Sequence, residues 1–270
     1  MMADTFALPA TAQPLVDDLL HAYTAGPAGA VGPVPRRLRP DLPDGPAHSY
    51  PLPSPAPSLR SPQAVLEDRR TVRDFAATPL PGTVLAATLT AAREHDARTA
   101  PGEARAGNGL RPVVVIRRAA GFDPGVYGAE PEAPGADPDI PDTEPALNSL
   151  RRYGPLTPRG WNCLFSDSQF ASAPVLVLMV GSIGAAWHRH GAPGHLRLLR
   201  RAGSAAYAGW LAALRHGCDA GILGATLPSP EVSAAARLDP VSRRPLVALA
   251  LGTAAPDPPP RDPATASVRH

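Results

Sequence analysis

The sequence predicts an α+β layer architecture. Three short apolar runs of strand length lie at 112–116, 173–180 and 245–251, and two longer segments at 81–95 and 195–216 repeat their apolar residues at helical spacing. The long helical segments carry much of the apolar surface, and the strands do not alternate with helices in regular βαβ units, so helices packed on a sheet are expected.

The elements follow in order. Residues 11–24 place Leu15, Leu19, Leu20 and Tyr23 on one helical face, but Pro and Gly crowd 25–60. Residues 1–60 therefore read as a Pro-rich arm with one short helix. The main domain, 61–255, opens on Ser61-Pro62, an N-cap followed by proline at the first helical position, and a short helix over 62–69 ends in Arg69-Arg70. A second helix, 81–95, aligns Val84, Leu85, Thr88, Leu89 and Ala92. The β-branched run Pro112–Ile116 and the run Ala173–Val180 read as buried strands. Between them, 120–160 is polar and rich in Pro, Gly and Asp, and reads as a surface excursion. Leu196, Leu199, Ala202, Ala206, Trp210, Ala213 and Leu214 argue for a long buried helix over 195–216, stopped by Gly217. A glycine-rich turn with an apolar strand at 217–225, a short helix at 229–237 and a last strand, Pro245–Leu251, complete the domain. Residues 256–270 form a tail that contains Arg261.

Composition narrows the function. At 44% hydrophobic, 270 residues can bury one substantial core. No apolar run reaches the roughly 18 residues a membrane span needs, and the N-terminus lacks a secretory signal, so a cytoplasmic protein with no membrane role is expected. A net charge of +2 implies no nucleic-acid surface. Cys163 and Cys218 form no CxxC pair, so neither a disulfide framework nor a metal site is indicated. All 26 basic residues are arginine. No step can use lysine as base, Schiff-base former or phosphate ligand.

Arg69, Arg70, Thr71 and Arg73 place three guanidinium groups and a hydroxyl within five residues at a helix end. Such a group can hold a phosphomonoester through charge-assisted hydrogen bonds, although taken alone it is more often a solvated helix terminus. The run Arg69-Arg70-Thr71-Val72-Arg73-Asp74-Phe75, followed by Pro79-Leu80, resembles the N-terminal signature of the nitroreductase superfamily. In that family Arg-x-Ser/Thr-x-Lys/Arg-x-Phe holds the phosphate and ribityl chain of FMN. Three further stretches keep the family's order. Gly107-Asn108-Gly109-Leu110-Arg111-Pro112 looks like the loop that lies against the flavin. Gly217 to Gly224 looks like the turn and strand whose backbone contacts the ring, with Leu223 and Gly224 at its end. The strand 245–252 is followed by Arg261, similar to the family's phosphate-reaching basic residue. The resemblance implies a central, mostly antiparallel sheet flanked by long helices, an FMN cofactor and a homodimer.

Within the superfamily, Trp187-His188-Arg189-His190-Gly191, His195-Leu196-Arg197 and Ala202-Gly203-Ser204 resemble the azoline dehydrogenases, which oxidise thiazoline or oxazoline rings in modified peptides. Arg197 and Gly203 match. The family's Lys-Tyr acid/base element is replaced by Arg189 and His190, Ala106 stands for a serine of the flavin loop, and Ser204 stands for a histidine. The resemblance therefore assigns Arg189 and His190 to catalysis, with His190 as the base and Arg189 as an orienting charge. It assigns Arg69, Arg70, Thr71, Arg73, Asn108, Arg197, Leu223, Gly224 and Arg261 to FMN. The implied substrate is a modified precursor peptide, with a cyclodehydratase as a possible partner. A generic NAD(P)H-dependent nitro or quinone reductase and a flavin-free scaffold subunit are the alternatives. Trp161, Phe165 and Phe170 could line a peptide groove, but such spacing more often marks core.

Overall fold

The computed structural model describes residues 48–55, 57–106, 108–129, 147–165, 169–224, 229–239 and 243–256. The expected helix at 11–24, Gly107 and Arg261 lie outside them. In chain order the elements are β1 (Ser49–Pro51), α1 (Pro62–Asp68), α2 (Gly82–Thr99), α3 (Pro101–Arg105), β2 (Arg111–Ile116), β3 (Gly125–Gly128) and β4 (Ser149–Pro155). There follow α4 (Pro158–Asn162), β5 (Val175–Gly181), α5 (Ile183–His190), α6 (Pro193–Arg215), β6 (Asp219–Leu223), α7 (Pro230–Ala235) and β7 (Arg244–Gly252).

The strands form one seven-stranded sheet in the order β1-β4-β3-β2-β5-β7-β6. Every neighbouring pair is antiparallel. The three apolar runs supply its middle, and they are continuous rather than alternating because both faces of the sheet are covered. Along β5 every residue is buried. Val175, Val177 and Met179 face one core with Leu85, Leu89 and Ala92 of α2 and Ala202, Ala206 and Ala213 of α6. Leu176, Leu178 and Val180 face the other, with Val72, Phe75, Trp161, Phe170 and Val232. Trp161 and Phe170 thus belong to the core, with Phe165 packed against it. The α+β architecture and the antiparallel sheet match the expectation from the sequence.

Helix ends follow local chemistry. Ser61 caps α1 by accepting from the Ala64 N–H at 3.2 Å. Ser182 caps α5 by accepting from the Ala185 N–H at 3.0 Å. The longest helix, α6, stops at Gly217, whose φ of +77° is the left-handed conformation that glycine adopts freely.

Four readings are revised. The stretch expected as a surface excursion contributes β3 and β4 to the sheet. β1, inside the expected arm, pairs with β4 at the sheet edge. None of the three shows an apolar run, because β1 is short, β4 is largely half-buried, and Tyr127 of β3 packs with Tyr50 and Phe122 instead. The stretch before Gly191, to which the sequence assigned no element, is the helix α5. Leu196 and Leu199 do not face the core; they are 58% and 36% exposed, and Leu198 is buried in their place.

Candidate functional site

Beyond α1 the chain leaves its helix at Arg69 and runs extended across the ends of β6 and β7. Val72 N–H donates to the Ala220 carbonyl at 3.2 Å, Ala76 N–H to Thr253 at 2.8 Å, and the Asp74 carbonyl accepts from Ala255 at 3.0 Å. Phe170 N–H donates to the Arg73 carbonyl at 3.0 Å. Within this run Val72 and Phe75 turn into the core, while Thr71, Arg73 and Asp74 are exposed. Arg70, Thr71 and Arg73 are exposed, and their side chains hold no hydrogen bond among the described residues. Arg69 is engaged differently. Its guanidinium donates to the Tyr207 hydroxyl on α6 and lies over the rings of Tyr207 and Trp210, 5.3 Å and 5.8 Å from their centroids.

The segment fits this closely because of two glycines, Gly221 and Gly252, the latter leaving room for the Phe75 ring. A Cβ at Gly221 of β6 would sit 2.6 Å from the Val72 carbonyl oxygen and 2.5 Å from the Phe170 ring. Further along, Leu223 is half-buried and Gly224 is exposed, with open space where a side chain would be. Free guanidinium groups, a hydroxyl and an unobstructed backbone thus lie along one strand edge. That donor set suits a phosphate with an attached polar chain.

A second polar group sits at the other end of α6. Gly194, in its first turn, approaches the Ala186 carbonyl too closely for any side chain, which brings α5 and α6 together. Around this corner Glu103 of α3 is buried and collects donors. His190 Nε2 lies 2.7 Å from Glu103 Oε1, Arg189 Nε donates to the same oxygen at 3.1 Å, and Asn108 Nδ2 donates to Oε2 at 2.6 Å. Arg201 clamps Asp96 with two bonds, of 2.9 Å and 2.8 Å, and both its terminal nitrogens donate to the Asn108 carbonyl at 3.3 Å. Burial pushes the Glu103 carboxyl up, but the hydrogen bonds from Asn108, His190 and Arg189, with the Arg189 charge, outweigh it and hold the pKa below the ordinary value. Glu103 is therefore the anionic centre of the group at neutral pH.

These contacts order the His190 ring. Arg197 Nη1 lies 3.4 Å from His190 Nδ1, and a guanidinium only donates, so Nδ1 is the acceptor and Nε2 carries the proton given to Glu103. His190, Asn108, Glu103, Arg197, Arg200 and Arg201 line one cleft of about 390 Å³. Position 204, where the resemblance expects a histidine, holds Ser204 with its Oγ 2.6 Å from His95 Nε2, so α2 supplies the imidazole instead.

The structure brings Asn108, Arg189, His190 and Arg197 together around Glu103. It places Thr71 and Val72 beside Ala220 and Gly221 of β6, with Leu223 further along the same strand and Gly224 just past its end. The two groups are joined by α6: ten residues separate Arg197 from Tyr207, about 15 Å of helix. Sequence reasoning missed Glu103, Asp96, Arg201 and His95. The pair Arg200-Arg201 inside an apolar helix was a signal for a buried carboxylate partner; Glu103 and His95 carried none.

A profile of the nitroreductase family matches residues 66–253. The chain belongs to the nitroreductase family, a family of oxidoreductases. No curated protein matches it in sequence. Among solved structures it is similar to a protein assigned as a nitroreductase from Anabaena variabilis, with 13% identity and a TM-score of 0.59, over 77% of this chain and 42% of that one. The chain thus spans less than half the length of that relative. It is also similar to a protein assigned as a nitroreductase from Ralstonia eutropha, with 18% identity and a TM-score of 0.54, over 85% of this chain and 95% of that one. A third similarity, with 13% identity and a TM-score of 0.53, covers 93% of this chain and 96% of a chain in the E. coli microcin synthetase McbBCD complex with truncated pro-MccB17 bound. At these identities the likeness establishes the nitroreductase fold.

Proposed function

We propose that the chain is an FMN-dependent dehydrogenase that oxidises azoline rings in a modified precursor peptide to azoles. The observation that carries the reading is the imidazole of His190, oriented by a buried carboxylate and presenting Nδ1 on a cleft wall of a nitroreductase fold. The azoline-dehydrogenase resemblance around 187–204 supports it, as does the fold likeness to a chain of a synthetase complex that holds a pro-peptide.

Arg70, Thr71 and Arg73 would hold the FMN phosphate, with Arg261 as a further phosphate ligand, and the backbone near Leu223 and Gly224 would face its ring. Bound FMN supplies the two-electron acceptor that ring oxidation requires, and dioxygen restores it. The remaining work falls to the cleft. His190 takes a ring proton at Nδ1, and Glu103 steadies the resulting imidazolium through Nε2. The 3.4 Å contact from Arg197 is long, so a substrate C–H can replace it at small cost. Arg189 stays charged and holds Glu103 ionised. A homodimer is part of the proposal. Trp187, 58% exposed, and Leu196 and Leu199 on the outer face of α6 give a second copy an apolar surface, which sedimentation of the purified chain tests.

The visible spectrum tests the class: the purified chain is expected to carry a yellow chromophore or to be stabilised by added FMN. Neither occurring would refute flavin chemistry and favour a scaffold subunit that binds a precursor peptide or cyclodehydratase. The family match and two of the three structural neighbours favour a second reading, an NAD(P)H-dependent nitro or quinone reductase. Rapid bleaching of bound FMN by NAD(P)H selects that reading; oxygen-dependent loss of two hydrogens from an azoline peptide selects the dehydrogenase.

A further inference from the structure

The cleft between α3, α5 and α6 has more cations than its own carboxylates satisfy. Glu103 and Asp96 are the acids of the group. Glu103 accepts from Arg189, His190 and Asn108 and lies 3.8 Å from Arg201 Nη1, while Asp96 takes the Arg201 fork and, through Oδ2, the Leu110 N–H at 3.0 Å. A carboxylate offers about four acceptor positions, so both acids are close to filled by groups already in place. Arg197 and Arg200, one helical turn apart on α6, line the same cleft and are exposed at its mouth. Neither has an ion-pair partner among the described residues, and the one contact of Arg197 is the long one to His190. The first turn of α6, at Gly194, also borders the cleft, and its macrodipole adds to the positive potential.

We infer that this cleft binds a carboxylate-bearing ligand, held by Arg197 and Arg200. Two guanidinium groups match the planar geometry of a carboxylate, and the cleft volume of about 390 Å³ admits a small organic anion or one acidic end of a peptide. The anion lies between Arg197 and Arg200 at the mouth of the cleft, and not against the Arg70–Arg73 segment some ten residues of α6 away. The site stands on the charge of the cleft and does not depend on azoline turnover.

The test uses the full chain saturated with FMN. Glutarate serves as probe, glutaramide as its uncharged counterpart and inorganic phosphate as competitor, with binding followed by calorimetry at low and high salt. Glutarate is expected to bind, weakening as salt rises, and glutaramide is not. The double variant Arg197→Gln/Arg200→Gln should lose at least tenfold in glutarate affinity with its FMN content unchanged. Equal glutarate binding by wild type and variant, or none by either, would overturn the site. Loss of FMN in the variant would also overturn it, because the two arginines would then belong to the cofactor phosphate. Phosphate binding as tightly as glutarate would overturn the carboxylate assignment. The azoline reading fails on different data, absence of flavin or of ring oxidation, so the two can fail separately.

Discussion

The two ends of α6 are built on opposite plans. At Tyr207 and Trp210 the neighbouring segment 70–73 is held by its backbone and its cationic side chains stay free. At the other end Arg189, His190 and Arg201 are held together through the buried carboxylates of Glu103 and Asp96. The first plan keeps donors available for a ligand phosphate at little structural cost. The second fixes an imidazole in one tautomer, and makes the fold depend on the charges that fix it. The arginines of the 70–73 segment can therefore be removed with the fold intact, and the partners bound to Glu103 and Asp96 hardly at all.

The largest effect expected from that contrast is on Glu103. Glu103→Ala leaves Arg189 and His190 facing a buried void and should cost about 3–5 kcal/mol of unfolding free energy, measured by urea denaturation. Glu103→Gln keeps the shape and should cost less. It should also flatten the acid limb of stability: a depressed carboxylate contributes above its unfolded pKa and loses that contribution as pH falls through the folded one. The gap between wild type and Glu103→Gln should thus be full at pH 7 and close in acid. A gap that widens in acid would contradict an ionised Glu103.

Arg70→Ala and Arg73→Ala come next. Each removes a charge-assisted donor worth about 1.5–3 kcal/mol, so FMN affinity should fall roughly tenfold or more per substitution, with unfolding midpoints nearly unchanged. Arg69→Ala sharpens the comparison. Arg69 packs on Tyr207 and Trp210, so its loss should lower stability as well as cofactor retention. Gly221→Ala pushes a methyl group against the Val72 carbonyl and the Phe170 ring and should destabilise by about 1–3 kcal/mol while displacing the phosphate segment. The smallest effect concerns the thiols. Cys163 is exposed, whereas burial and then Asp219 push the Cys218 thiol up to about 11, so one thiol per native chain should react with a disulfide reagent and the second only on unfolding.

The same contrast explains what could be read from the sequence. The 70–73 segment was legible because its chemistry is local, five consecutive residues at a helix end. The centre of the sheet was legible because β2, β5 and β7 are buried on both faces and therefore continuously apolar. β3 and β4 were not, since Tyr127 and its aromatic neighbours at 50 and 122 replace an apolar run. The Glu103 group draws on residues 96, 103, 108, 189, 190 and 201, and no spacing within the chain announces that they meet. Arg189 and His190 were singled out by resemblance, while the carboxylate that orders them appears only when α3 packs against α5. Leu196 and Leu199 misled for the converse reason: an apolar stripe marks burial against something, and in one chain they remain exposed.

The central claim is that the flavin accepts electrons from an azoline, and anaerobic mixing tests it most directly. The FMN-loaded chain is mixed, without oxygen, with a peptide carrying one thiazoline, and the visible flavin absorbance is followed. Bleaching by the peptide, with no comparable bleaching by NAD(P)H and a marked slowing in His190→Ala, is the predicted result. A flavin that NAD(P)H bleaches and the thiazoline peptide leaves unchanged would contradict it.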